Sequence, residues 1–214
     1  MEKKHIMVKD VRCSFPRMYG NEIRDGDTFG PGIALILEKE KHGPVLKMIK
    51  EYMREAITNN PKLVKAKEDG KLGPDRMCLR LPDRDEMKYM EGNLMVKANN
   101  PRAPLVLHPD GRTVMTEATN LIYSGCYVNA KIEIWGQANK YGKRVNAKLI
   151  AVQFVNKPAE SFDGSYVSPE EAVKGFESLD DGIPDDDLLG GGEKDTPDDD
   201  LLGGGTPDDD DLLG

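Results

Sequence analysis

Tyr127, Lys131 and Trp135 recur every fourth residue along one stretch of this 214-residue chain, two rings with a cation between them. Around them, residues 126–135 alternate without a break. Cys126, Val128, Ala130, Ile132 and Ile134 fall on one side; Tyr127, Asn129, Lys131, Glu133 and Trp135 fall on the other. A period of two predicts a β-strand with one apolar and one polar face. Rings on the polar face leave apolar surface in water unless something covers them. The residues that follow add Lys140, Tyr141, Lys143 and Arg144, then Lys148. Rings interleaved with cations suit a single nucleic-acid strand, whose bases stack on the rings while its phosphates meet the positive charge. Such stacking contributes roughly 1–3 kcal/mol per base. The competing reading is that a helix covers the stripe, with residues 45–57 as the candidate.

Other chemistries find less support. Three cysteines (Cys13, Cys78, Cys126) and three histidines (His5, His42, His108) are scattered, with no Cys-x-x-Cys pair. An odd cysteine count fits free thiols in a reducing compartment, and no metal or cofactor is expected. The Gly-rich run 26–32 lacks a following Gly-Lys-Ser/Thr and reads as a turn. Asp83, Glu86 and Lys88 are pieces of a metal-dependent nuclease pattern, in which carboxylates hold Mg²⁺. Here they crowd into one charged loop, so the chain is not expected to be an enzyme. Arg76, Arg80 and Arg84 read equally well as a DNA track or as ordinary surface charge. No run approaches the ~20 apolar residues that span a bilayer. The first ten residues, MEKKHIMVKD, lack the apolar core of a secretory signal. A cytoplasmic protein is expected.

The elements that must position the rings are legible in outline. Residues 5–15 read as a strand ended by Pro16, and residues 33–39 as a buried strand. Pro44 sits at a helix N1 position. Val45, Met48, Ile49, Tyr52, Met53, Ala56 and Ile57 follow at amphipathic spacing, until Asn59-Asn60-Pro61 ends the helix. A weaker helix covers residues 62–68. A charged loop spans 81–86, strands are predicted at 93–98 and 104–108, and a turn at Pro109-Asp110-Gly111. The strongest strand, residues 122–135, leads through a turn at 139–144 into a returning strand at 145–155, a β-hairpin. Ser168-Pro169-Glu170-Glu171 is a capping box opening a short helix toward Phe176. The fold class is mostly β with α additions, as one domain over residues 1–178. The Met-rich positions (Met48, Met53, Met87, Met90, Met95) read as core filler.

The net charge of −8 divides unevenly. Residues 180–214 hold fourteen acidic groups and one lysine, a net of −13. The preceding 179 residues hold 29 basic and 24 acidic groups, a net of +5. A basic body joined to an acidic tail suggests a polyanion partner for the body. The tail, residues 179–214, is a triplicate: Pro184-Asp-Asp-Asp-Leu-Leu-Gly190, Pro197-Asp-Asp-Asp-Leu-Leu-Gly203 and Pro207-Asp-Asp-Asp-Asp-Leu-Leu-Gly214. Like charge, Gly, Pro and the absence of aromatics predict disorder. Each acidic run ends in Leu-Leu, which mere solubility does not require, so the last copy reads as a docking motif. Asp208, Asp209, Asp210 and Asp211 would attract, and Leu212 and Leu213 would insert.

Four places in this chain resemble the single-stranded DNA-binding proteins of tailed bacteriophages. They are Val11-Arg-Cys-Ser-Phe-Pro16, Asn99-Asn-Pro-Arg-Ala-Pro104, Leu121-Ile-Tyr-Ser-Gly-Cys-Tyr-Val128 and Trp135-Gly-Gln-Ala-Asn-Lys-Tyr-Gly-Lys-Arg-Val145. The resemblance covers about residues 6–165 and implies an oligonucleotide-binding (OB) barrel plus the amphipathic helix. It also implies that the protein coats single-stranded DNA, without base-specific readout, in phage replication, recombination or repair in the host cytoplasm. Tyr127, Lys131, Trp135, Lys140, Tyr141, Lys143, Arg144 and Lys148 would then contact DNA. The tail would recruit replication or recombination proteins and compete with DNA for its groove, with self-association left open. This chain ends in Leu-Leu-Gly where related tails carry an aromatic tip. The alternatives are an interaction adaptor that binds no DNA and, behind it, the nuclease.

Overall fold

The computed structural model describes residues 4–81, 92–162, 164 and 172–175. The chain parts into two units, Met1–Ser168 and Pro169–Gly214. The tail (179–214), most of the predicted helix at 168–176, and the loop carrying Asp83, Arg84, Glu86, Met87, Lys88 and Met90 lie outside the described residues.

In the first unit the chain runs β1 (His5–Arg17), β2 (Glu22–Arg24), β3 (Asp27–Phe29), β4 (Gly32–Leu37), α1 (Gly43–Thr58) and α2 (Pro61–Glu68). It continues through β5 (Leu79–Arg80), β6 (Leu94–Asn99), β7 (Leu105–Leu107), β8 (Tyr127–Asn139) and β9 (Gly142–Val155). β1 pairs antiparallel with both β4 and β8, β4 with β6, and β8 with β9. A parallel seam between β6 and β9 (Ala98↔Ala147, Asn99↔Lys148) joins the two ends. Five strands, β1-β4-β6-β9-β8, therefore close on themselves. Closure removes the unpaired strand edges an open sheet would leave, as in OB barrels.

The alternating pattern of β8 survives folding. Val128, Ala130 and Ile132 are buried, while Tyr127, Asn129 and Lys131 are not. Ile6, Val8, Val11, Leu35, Leu37, Val96 and Leu149 meet them in the core. Each fully buried aliphatic side chain contributes about 1.5–3 kcal/mol. All three cysteines are buried free thiols. Helix α1 begins at Gly43 with Pro44 in its first turn, and buries Leu46, Ile49 and Ile57 against the barrel. Val45, Tyr52, Met53 and Ala56 of the expected stripe also pack against the core, while Met48 is 41% exposed and Leu46 is buried instead. Gly136 admits the helices: a Cβ there would lie 2.6 Å from Leu63 Cδ1 and 2.9 Å from the Ala56 carbonyl oxygen. Since the helix backbone cannot yield, only glycine lets α1 sit this close to β8.

Four expectations are corrected. β1 runs through Pro16 to Arg17, with a register shift between Ser14 and Arg17 that accommodates the proline. β8 begins at Tyr127 rather than at 122, because Gly125 (φ 107°) turns the chain just before it. The turn at 139–144 tightens to Lys140 and Tyr141, since Asn139 pairs directly with Gly142. Finally, the run read as a turn at 26–32 holds β3, paired in a small hairpin with β2 whose tip is Asp25 and Gly26, and ends at Gly32, the first residue of β4.

Candidate nucleic-acid interface

Trp135 stands on the outer face of β8, opposite Asn146 of β9, and Gln137 stands opposite Arg144 two positions on. Paired positions place side chains side by side. Gln137 accepts from Asn146 Nδ2 at 2.9 Å and donates to Asn139 Oδ1 at 3.1 Å, which stiffens the arm near its tip. Helix α1 does not cover this face, and Trp135 remains 41% exposed.

Beside the arm lies a cleft of about 410 Å³. Trp135, Gln137, Arg144 and Asn146 form one wall. Lys97, Asn99 and Asn100 come across the parallel seam from β6 and the residues after it. Arg76 and Arg80 come from the segment before β6, which a parallel bridge (Met77↔Val145) holds against β9. Among the described residues that line the cleft there are four cations and one carboxylate, Asp75. Asp75 binds Arg76 Nε at 2.9 Å, but both side chains are exposed, and such pairs contribute ~0–1 kcal/mol. Burial pushes the Cys78 thiol in this cleft up to about 12, so it stays neutral and takes nothing from the positive field. Among the described residues no group of three or more His, Cys, Asp or Glu could hold a metal ion. Cations, amides and an exposed indole can hold a polyanion whose units carry flat faces.

The remaining candidate residues are spread along the ribbon. Lys140 and Tyr141 form the hairpin tip, where Tyr141 is 73% exposed with Lys140 Nζ 5.0 Å from its ring. Lys143 pairs with Ala138, on the opposite face of the arm from Trp135. Lys131 lies midway along β8, and Lys148 sits opposite Glu133. Tyr127 is at the far end, roughly 26 Å from Trp135 at ~3.3 Å per residue. Its ring is surrounded by Lys157 (4.1 Å), Lys41 (5.3 Å) and Arg12 (5.9 Å). Lys41 and Lys157 also pair with Asp10, at 2.7 and 3.3 Å, and hold its carboxyl below the usual range. The structure therefore brings Trp135 and Arg144 into one cleft and leaves Tyr127 in a different basic patch. Arg76 and Arg80 line the same cleft, and Arg84 lies outside the described residues. Lys97, Asn99 and Asn100, which also line it, were not singled out as candidate site residues. The only trace of Lys97 was its place as the sole charged residue of a short apolar strand.

Beyond β9 the chain is strapped to the barrel. Arg12 donates from Nη2 to the Glu160 carbonyl at 2.6 Å and from Nε to the Gly125 carbonyl at 2.8 Å. The Phe162 amide donates to the Ser124 carbonyl at 3.1 Å, and Arg12 stacks over the Phe162 ring at 4.1 Å.

Set against known proteins, the chain is similar to phage proteins over most of its length. The profile of the family described as Enterobacter phage Enc34, ssDNA-binding protein, matches residues 4–189. A putative protein p50 of Acyrthosiphon pisum secondary endosymbiont phage 1 is 31% identical over 177 residues, covering 81% of this chain and 93% of its own. The solved single-stranded DNA-binding protein of bacteriophage Enc34, in complex with ssDNA, superposes with a TM-score of 0.60 at 33% identity. That match covers 74% of this chain and 89% of the other. The gp2.5 protein of bacteriophage T7, also a single-stranded DNA-binding protein, shares the fold with a TM-score of 0.51 at 13% identity, over 86% of this chain and 99% of its own.

Proposed function

The chain belongs to the family of phage single-stranded DNA-binding proteins represented by that of Enterobacter phage Enc34, and from this premise we propose that it binds single-stranded DNA in the cleft beside Trp135. The observation that supports the assignment of place is the gathering of Arg76, Arg144 and, among the described lining residues, two further cations around one exposed indole. Phosphates run along Arg76, Arg80, Lys97 and Arg144, while a base stacks on Trp135. Lys140 and Tyr141 at the arm's tip extend the track, Lys143 adds charge from the arm's other face, and Lys131 and Lys148 continue the track along the outer ribbon. Tyr127, with its three cations, is a second contact for longer strands. Backbone charge and ring faces carry no base identity, so binding is independent of sequence. The barrel does for replication and recombination what a coat does, keeping a strand unpaired and accessible.

A gel shift with oligo-dT against a duplex of equal length, at two salt concentrations and without metal, tests this reading. Oligo-dT is expected to shift, with log affinity falling by about 0.7 per phosphate contacted for each decade of salt. Affinity that ignores salt, or no shift at all, overturns it; cleavage on adding Mg²⁺ would return the nuclease alternative.

The acidic repeats carry the second part of the proposal. Asp208–Asp211 with Leu212 and Leu213 dock a replication or recombination protein, and the run of carboxylates competes with phosphates for the cleft. The supporting observation is the opposition of −13 in residues 180–214 to the cationic cleft. Deleting residues 180–214 is expected to tighten oligo-dT binding severalfold at low salt, with the gain fading as salt screens the tail. Unchanged or weaker binding of the truncated protein would remove the competition.

A further inference from the structure

Trp135 borders two clefts. On its far side from the cationic one lies a second space of about 410 Å³, walled by Trp135, Tyr52, Asn59, Asn60 and Gly136 and floored by Ile134. Trp135 is thus the residue the two spaces share. The two spaces differ in charge. In the second, Lys4 donates to both Glu55 oxygens at 2.9 Å, and Glu133 is a further carboxylate in the lining. Among the described lining residues one cation meets two carboxylates, which leaves nothing to attract a phosphate. What remains is aromatic and amide surface, a setting for an uncharged flat group with polar edges.

We propose that this second cleft is a nucleobase subsite, with Tyr52 as its stacking platform. This rests on the reading of the first cleft as the single-stranded DNA track. Phosphates stay on the cationic side, and one base turns over the edge of Trp135 into the space against α1. The indole then stacks on both faces, and its neighbour is held against Tyr52. Tyr52 suits the role because it is partly buried against the core and already carries Lys4 Nζ 5.2 Å from its ring centroid. A ring so fixed loses little freedom when a base lands on it. Asn59, exposed just past the end of α1, offers an amide to the base edge.

The test compares Tyr52→Leu, which keeps apolar volume and loses the ring, with Tyr52→Phe, which keeps the ring. Expected is a roughly 5- to 10-fold loss of oligo-dT affinity for Tyr52→Leu, at the low end of the range for one stacked base. Tyr52→Phe should bind like wild type. The salt slope of Tyr52→Leu should not change, since no phosphate contact is lost. If Tyr52→Leu lowers the melting temperature, wild-type protein photo-crosslinked to oligo-dT carrying 5-iodo-deoxyuridine decides. An adduct on the peptide containing Tyr52 supports the subsite, and adducts confined to first-cleft peptides overturn it. Wild-type affinity for Tyr52→Leu beside weakened Trp135→Ala sinks the subsite alone. Oligo-dT binding that neither variant weakens sinks the cleft reading with it.

Discussion

Trp135→Ala is expected to weaken oligo-dT binding by about 1–3 kcal/mol, roughly 5- to 150-fold, while leaving its salt dependence untouched. The indole is exposed, holds no position in the core, and faces the cationic cleft. Its removal takes away a stacking surface without taking away charge. On a plot of log affinity against log salt the line should drop and keep its tilt. Arg144→Glu should do something different. It removes one counter-charge and adds a repulsive one, so affinity falls most at low salt and the slope flattens by at least ~0.7. Arg144 is exposed opposite Gln137, so the barrel should fold in either variant. Fluorescence anisotropy at four salt concentrations reads both effects at once. A Trp135→Ala line that tilts as the Arg144→Glu line does would mean that the indole is not a stacking platform.

Gly125→Ala should cost the fold several degrees of melting temperature. At φ 107° an L-residue is strained by about 1–3 kcal/mol. The added Cβ would also lie only 2.4 Å from the Glu160 carbonyl oxygen and 3.0 Å from the Phe162 amide nitrogen. These are backbone atoms of the strap, which cannot swing aside as a side chain could. Either the turn before β8 opens or the strap lifts, and Arg12 loses its acceptor at Glu160 in the second case. For a domain of this length each 1 kcal/mol is worth about 2–4 °C. Limited proteolysis should find new cleavage near residues 158–162, ahead of any cut in the barrel strands. A melting temperature within a degree of wild type, with no new cleavage, would show that the strap is not seated on Gly125.

Much of the framework was legible because it depends on short-range pattern. Ten alternating residues specify which side of β8 is wet, and the hairpin to β9 follows from the break between two such runs. The helix was legible in extent and in its buried face, except at Met48. Met48 and Leu46 are both apolar, and only packing decides which of two adjacent faces turns inward. The cleft was harder to read for a geometric reason. Periodicity says that Tyr127 and Trp135 share a face and, at ~3.3 Å per residue, that they stand about 26 Å apart; it does not say which other elements gather around each ring. Conversely, Arg76 and Lys97 lie 59 and 38 positions before Trp135, and nothing local links them. They arrive through a two-residue parallel seam and an isolated bridge at Met77, pairings that no strand announces by itself. The β2–β3 hairpin escaped notice because its strands are three residues long and carry little apolar alternation.

The parallel seam has one more consequence. It is the weakest join in the ring, two residue pairs between β6 and β9, and the cationic walls stand on either side of it. A polynucleotide lying there would touch both lips and act as a rivet across them. Occupancy and ring closure then become a single linked equilibrium, in which ligand at a hundredfold its dissociation constant adds about 2.7 kcal/mol to the closed form. The protein would be toughest when loaded, and would loosen first along the line where its cargo leaves.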